Sequence, residues 1–135
     1  MDTMRRRHHT GFSILELLIA LVIICVLVVN AVPFYSTKVA EARLAEADSA
    51  LSSIREELRI YKYEYGEFPK EVNSITIIGA GWNQLKAGDL AGKYFSDNSY
   101  TYRSPNPKSF VLRCNKGEAL KRDRTLTELG VFGFE

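Results

Sequence analysis

A long apolar run near the N-terminus constrains the fold of this chain more than any other feature. From Phe12 to Val32 the residues are apolar except for Ser13, Glu16 and Asn30. A helix of about 20 such residues crosses the hydrocarbon core of a bilayer. Three arginines at positions 5–7 precede the run, and positive charge on this flank holds the N-terminus in the cytoplasm. The sequence therefore predicts one membrane-spanning helix, with the rest of the chain outside.

Glu16 is the unusual residue in this run. A carboxylate at the centre of a membrane helix costs about 2.5–3.5 kcal/mol, so acids there are rare and mostly functional. Glu16 lies only one turn into the helix, where the helix dipole favours an anion by ~0.3–1 kcal/mol. Ser13 and Glu16 also fit a capping box, in which the carboxylate closes the helix N-terminus. The residues alone leave both roles open.

The N-terminal string as a whole resembles the class III leader of type IV prepilins and secretion pseudopilins. The string is a basic leader, then Gly11 and Phe12, a glutamate five positions after the glycine, and a late proline in the apolar run. The resemblance implies that prepilin peptidase cuts between Gly11 and Phe12, and that Phe12 becomes an N-methylated N-terminus. It also implies that Glu16 meets the N-terminal amine of a neighbouring subunit, and that Pro33 bends the helix.

The same resemblance implies partners and a location. The partners are other copies of the chain, minor pilins or pseudopilins, the prepilin peptidase, and an inner-membrane assembly platform with its ATPase. The chain would be stored in the bacterial inner membrane and would then enter a periplasmic pseudopilus or an extracellular pilus. Ser13 and Leu15 replace the threonine and isoleucine that the family often has there, and both changes conserve the chemistry.

Beyond Pro33 the continuous apolar run gives way to an apolar stripe. Its members recur every three or four positions, as on one face of an amphipathic helix: Ala40, Leu44, Ala47, Leu51, Ile54, Leu58, Tyr61 and Tyr65. The charged residues between them are predicted on the solvated face: Lys38, Glu41, Arg43, Glu46, Asp48, Arg55, Glu56, Glu57, Arg59 and Lys62. The stripe is expected to pack on a head domain of the same chain, with a dimeric coiled coil as the alternative.

The two helical patterns predict an almost continuous helix from Phe12 to Tyr65. Pro33 should bend it or unwind it locally, because proline lacks the N–H and clashes with the preceding turn. Gly66 and Pro69 predict where the helix ends, with a left-handed glycine cap and a proline shortly beyond.

The remaining residues predict short strands. Ile75–Ile78, Ser99–Ser104 and Ser109–Cys114 have strand patterns, and the last two form a hairpin across a turn at 105–108. The charged segment 118–124 is expected on a solvated face, and Trp82 in or beside the core. The apolar C-terminal tail packs back on the sheet or forms a contact patch, and the pattern favours neither.

These elements together predict an α+β fold. An antiparallel sheet of three or more strands, lying on the outer half of the long helix, would bury both apolar surfaces. We divide the chain into a cleaved leader (1–11), a transmembrane or filament-core helix (12–33), an amphipathic helix (34–65) and a small β-rich head (66–135). This pilin-like arrangement is also what the resemblance implies.

The composition argues against an enzyme, a metal site and a nucleic-acid binder. The two histidines, His8 and His9, both lie in the leader, so the rest of the chain lacks Ser-His, Cys-His and His-metal sites. Its carboxylates have no catalytic or calcium-loop spacing, and the net charge of +2 arises from mixed signs. Cys25 in the membrane cannot pair with Cys114 outside it. We predict no cofactor, and Cys114 as a buried, inert thiol or, alternatively, an intermolecular partner.

Other functions remain as alternatives. Val29 and Ala31 fit a signal-peptidase site of an ordinary secreted protein, but the apolar run exceeds the roughly 7–15 residues usual in signal peptides. A single-pass anchor that never polymerises is a second alternative.

Within the family, many pilins close a C-terminal loop with two cysteines, whereas this chain has only Cys114 outside the run. We therefore predict a type II secretion pseudopilin. The Pro-Trp-Gly-type segment and the calcium loop that are usual in the major pseudopilins are not visible in this sequence. The alternative is a pilus pilin for adhesion, motility or DNA uptake.

Overall fold

The computed structural model describes residues 11–135. One helix and five strands follow each other along these residues: α1 (Ile14–Tyr65), β1 (Glu71–Thr76), β2 (Tyr100–Asn106), β3 (Ser109–Cys114), β4 (Arg124–Thr127) and β5 (Phe132–Phe134). A short 3₁₀ turn at Asp97–Ser99 precedes β2. The residues divide into an N-terminal unit that ends at Thr37 and a C-terminal unit, Lys38–Glu135.

Helix α1 has 52 residues and contains Pro33. The chain remains helical at this proline, so the local unwinding considered above is wrong. The predicted end of the helix is confirmed. Gly66 has a φ of 82°, which glycine adopts without strain, and its N–H donates to the Lys62 carbonyl oxygen at 2.8 Å.

The five strands form one antiparallel sheet in the order β1-β2-β3-β4-β5. Each strand pairs with the next one along the chain, and Leu112 of β3 lies between Tyr102 of β2 and Leu126 of β4. The structure therefore confirms the predicted α+β fold, with two more strands than the sequence pattern indicated.

The core of the C-terminal unit lies between one face of α1 and one face of the sheet. Ala47, Leu51, Ile54 and Leu58 of the predicted stripe are buried in it. They pack in one cluster with residues from the sheet and its connections: Phe68, Ile77, Trp82, Leu90, Phe95, Tyr100, Tyr102, Phe110, Leu112, Cys114 and Leu126. Burying each large aliphatic side chain contributes about 1.5–3 kcal/mol. The middle of the stripe thus packs on its own head and needs no coiled-coil partner, whereas Ala40 and Tyr65 at its two ends stay exposed.

Two local predictions need correction. Strand β1 begins at Glu71 and ends at Thr76, earlier than the expected Ile75–Ile78, because the Ile77 carbonyl oxygen accepts the Ala80 N–H and the Asn83 amide in a turn. The hairpin turn is also tighter than 105–108. The Asn106 side-chain oxygen accepts the backbone N–H groups of positions 108 and 109, and this closes the turn beyond β2.

Several charges predicted on the solvated face contact the head instead. Arg43 and Arg55 donate to backbone carbonyl oxygens of residues 119 and 128, at 3.2 and 3.3 Å. Asp48 binds Arg124, so that arginine is not solvated as expected for the segment 118–124. The C-terminal tail packs back on the sheet through β4 and β5, and Leu126 enters the core, while Leu129 and Val131 between the two strands stay exposed.

Candidate functional site

The predicted cleavage point lies in exposed, non-helical backbone. Gly11, Phe12 and Ser13 precede α1 and are exposed, and the first helical bond runs from the Leu17 N–H to the Ser13 carbonyl oxygen at 3.0 Å. A protease needs an accessible, extended peptide bond, whereas a helix holds its peptide bonds in hydrogen bonds. The Gly11–Phe12 bond is exposed, lies outside the helix and immediately precedes it.

The apolar segment, which we define as Phe12–Tyr35, has no protein cover in this single chain. Each large apolar side chain in it is at least 52 % exposed. Soluble proteins rarely expose apolar patches above a few hundred Å². Among the described residues, α1 is the one helix long and apolar enough, by length and composition, to cross a membrane. Lipid or other protein chains must therefore cover this surface.

Most polar side chains of this region are satisfied within α1 itself. The Asn30 amide donates to the Val26 carbonyl oxygen at 2.8 Å, and the Ser36 and Thr37 hydroxyls donate to the Pro33 carbonyl oxygen at 2.9 and 3.1 Å. These local bonds lower the free-energy cost of placing polar groups in an apolar medium. They explain how the helix tolerates these residues without a partner helix.

Glu16 is the exception. It lies in the first turn of α1 and is the one charged residue between Phe12 and Thr37. Within residues 11–135 its carboxylate has no hydrogen-bond or ion-pair partner, and the capping-box bonds with Ser13 are not formed. An unpaired carboxylate in an apolar medium costs several kcal/mol, so a cation from outside residues 11–135 would stabilise Glu16.

The comparison with known proteins concerns this same segment. Residues 6–29 match the family model described as the prokaryotic N-terminal methylation motif. This chain carries a prepilin-type leader. The predicted class III leader is thereby confirmed, and the match is consistent with the type IV pilin and pseudopilin family. The comparisons with curated proteins and with solved structures found no match.

The motif and the fold agree with each other. The prepilin-type motif supports a type IV pilin-like subunit and implies processing by prepilin peptidase and assembly into pilus-like filaments. The fold, one long N-terminal helix packed against a five-stranded antiparallel sheet, is pilin-like. The leader and the apolar helix together suggest membrane anchoring.

The C-terminal unit contains Cys114 and most of the carboxylates of the chain. Among the described residues no group of three or more histidines, cysteines and carboxylates could hold a metal ion; His8 and His9 lie outside them. Cys114 is fully buried, and burial raises the pKa of its thiol to about 12. The thiol is therefore protonated and inaccessible at neutral pH.

Two carboxylates hold the head on α1, although the periodic pattern assigned both of them to the solvated face. Glu46 accepts the backbone N–H groups of residues 93, 94 and 95 at 3.1, 2.9 and 2.9 Å. Asp48 accepts two hydrogen bonds from Arg124 at 2.7 and 2.9 Å, and these bonds raise the pKa of the Arg124 guanidinium. Both acids lie beside the buried Ala47, and this position next to the stripe was the available signal.

Proposed function

We propose that this chain is a structural subunit of a type IV pilus-like filament. Prepilin peptidase cuts it between Gly11 and Phe12, and Phe12 is then N-methylated. The apolar segment is stored in the bacterial inner membrane, with the leader in the cytoplasm and the head outside. An assembly platform and its ATPase move the subunit from the membrane into a filament that contains other copies and minor pilins or pseudopilins.

The unpaired Glu16 carries this proposal. It lies four residues after the new N-terminus, on a helix whose apolar surface is uncovered in the single chain. Once Phe12 is the first residue, its amine is a cation in the same apolar layer. The amine of a neighbouring copy would neutralise Glu16, which fixes the axial register of two helices while their apolar faces pack. Pro33 lies within α1 and is proposed to let the helix bend during packing.

Intact mass of the chain purified from the cells that produce it tests the proposal directly. We expect the mass of residues 12–135 plus one methyl group. A mature chain that begins at Val32 would indicate signal-peptidase processing, and a chain that keeps residues 1–11 would contradict prepilin processing. Either result rejects the proposed function.

The filament that we favour is a type II secretion pseudopilus, and the supporting observation concerns cysteine. Cys25 and Cys114 are both free, and Cys114 is buried, so the C-terminal disulfide loop of many pilins has no counterpart here. The alternative is a pilus for adhesion, motility or DNA uptake. A deletion strain separates them: loss of protein secretion with normal surface pili supports the pseudopilus, and loss of surface pili or twitching supports the pilus.

A further inference from the structure

A groove of about 380 Å³ lies in the C-terminal unit, between α1 and the segment that precedes β4. Its apolar walls come from Ala40 and Leu44 of α1, from Leu120, and from Phe134 of β5. Its charged residues are mostly basic: Arg43, Lys121 and Arg122, against Glu118. We name it the Leu44–Leu120 groove. Its lining suits an apolar side chain accompanied by a negative charge.

The β4–β5 turn, residues 128–131, has the matching chemistry. Leu129 is 78 % exposed and Val131 is 59 % exposed, while Glu128 beside them supplies a carboxylate. The turn is well held, because Gly130 donates to the Thr127 carbonyl oxygen at 2.9 Å and Arg55 donates to the carbonyl oxygen of Glu128. An exposed leucine on a fixed turn is a preformed knob and loses little entropy when it is buried.

The turn and the groove lie beside different parts of α1. Arg55 contacts the turn, and Arg43 contacts the residue-119 wall of the groove, twelve helical residues earlier. This spacing corresponds to about 18 Å along the helix axis. The turn of a chain therefore does not fill its own groove. A second copy placed one step along the axis can offer its turn to the first copy's groove.

We propose that the β4–β5 turn of one copy docks in the Leu44–Leu120 groove of the next copy in the filament. Leu129 enters between the apolar walls, and Glu128 faces Lys121 and Arg122. Such a contact is heterologous, because two different surfaces of the chain meet, and it repeats from copy to copy without closing on itself. It therefore supplies a contact between heads in addition to the packing of the N-terminal helices. The proposal rests on the proposed function.

Cysteine cross-linking in cells that produce and assemble the full chain tests the contact. Cys25 is replaced by alanine, and Cys114 is buried, so neither thiol contributes. The double variant Leu129→Cys/Lys121→Cys should give a ladder of dimers, trimers and larger products after oxidation. Each copy then carries one thiol in the β4–β5 turn and one in the groove, so disulfides can link copy after copy. Each single variant should stay monomeric. Dimers from Leu129→Cys alone would indicate a symmetric contact and overturn the proposal.

Substitution of the knob provides a second readout. We expect Leu129→Asp to lower the amount of chain in filaments pelleted from detergent-lysed cells about tenfold, because a buried leucine contributes at least this factor to association. The matched control is Val72→Asp, on the opposite edge strand β1, where Val72 is 56 % exposed; it should change assembly less than about twofold. A Cys114 thiol that a thiol reagent labels only after denaturation shows that each variant is folded.

The two levels of failure are distinguishable. If the chain is cut at Gly11 and found in filaments, but the ladder is absent and Leu129→Asp assembles as well as Val72→Asp, the docking proposal is wrong and the proposed function stands. If the leader is retained or the chain never enters filaments, both are wrong.

Discussion

Three carboxylates of this chain differ in what surrounds them, and the difference bears on the proposed role of Glu16. Glu46 accepts three backbone N–H groups, and Asp48 accepts two bonds from Arg124. Glu16 has no partner within the described range and lies on an exposed apolar helix. The first two are complete in one subunit. In the proposed filament, the cation that neutralises Glu16 comes from a neighbouring copy.

Removing the charge of Glu16 should therefore affect assembly and leave the fold intact. We expect Glu16→Gln to lower incorporation into filaments by at least about tenfold, because removing one member of a buried charge pair leaves the other uncompensated. Glu64→Gln is the matched control, since Glu64 lies on the exposed end of the same helix. Incorporation is measured by immunoblotting of filaments that are pelleted from detergent-lysed cells, which recovers periplasmic as well as surface filaments. Equal incorporation of the two variants would contradict the proposed role of Glu16.

The buried thiol of Cys114 predicts a dependence of stability on alkaline pH. Burial raises its pKa from 9.0 to about 12 in the folded chain. Well below pH 9 the thiol is protonated in both states, so its contribution is complete. Between pH 9 and 12 only the unfolded state ionises, and stability falls as the pH rises.

We expect the free energy of unfolding of the detergent-solubilised chain to decrease from pH 8 to pH 10. About 1 kcal/mol of this decrease should disappear in Cys114→Ala. Urea titrations at the two pH values provide the measurement. The same decrease in both chains would show that the thiol ionises equally in the folded and unfolded states.

At the scale of elements, two kinds of contact hold the head on α1: burial of the apolar stripe and hydrogen bonds to acidic side chains beside it. The stripe supplies burial, which is strong but not directional. Glu46 and Asp48 add directional bonds to the loop before β2 and to β4. Gly92 makes one of these possible, since a Cβ atom on it would overlap the Glu46 carboxylate. The register of helix on sheet thus depends on a few polar contacts.

Adding one methyl group at Gly92 should break the Glu46 contact. Gly92→Ala forces the carboxylate away from the three N–H groups that it accepts, and we expect a loss of about 2 kcal/mol of stability. Gly81→Ala is the control, because no atom lies within 4 Å of the added Cβ atom and its φ is not positive. Urea denaturation of both variants measures the difference. Equal stability would show that Glu46 finds other partners at no cost.

At the scale of the whole molecule, the chain consists of two units with different requirements. The core residues, from Ala47 to Leu126, all lie in the C-terminal unit. The N-terminal unit buries no large apolar side chain between Phe12 and Tyr35. The apolar segment of the first unit therefore needs lipid or other protein chains to cover it, whereas the second unit has a hydrophobic core of its own.

Residues 38–135 produced alone should therefore fold as a water-soluble protein. We expect a cooperative urea transition, a mixed helix and sheet circular dichroism spectrum, and a Cys114 thiol that reacts only after unfolding. The full chain is the control and should be extracted from membranes only by detergent. Aggregation of the shorter chain without a cooperative transition would show that the N-terminal helix is needed for the fold.

The sequence determined those features that depend on local patterns. The apolar run predicted a helix long and apolar enough to cross a membrane, and the leader is confirmed by the methylation motif at residues 6–29. The period of the stripe set the buried face of α1, and Gly66 set its end. Alternation in Ser109–Cys114 gave β3 with the same bounds. Each of these signals comes from residues a few positions apart.

Tertiary structure decided what depends on residues far apart in the chain. Asp48 and Arg124 are 76 positions apart, and Glu46 lies 47–49 positions from the N–H groups that it accepts. A periodic pattern assigned these charges to solvent, because it cannot know which distant segment covers a helix face. The same holds for the tail: its apolar residues allowed several placements until pairing with β3 and β4 put Leu126 in the core and left Leu129 exposed. Local sequence specifies which surfaces are apolar, and long-range packing determines which of them stay uncovered.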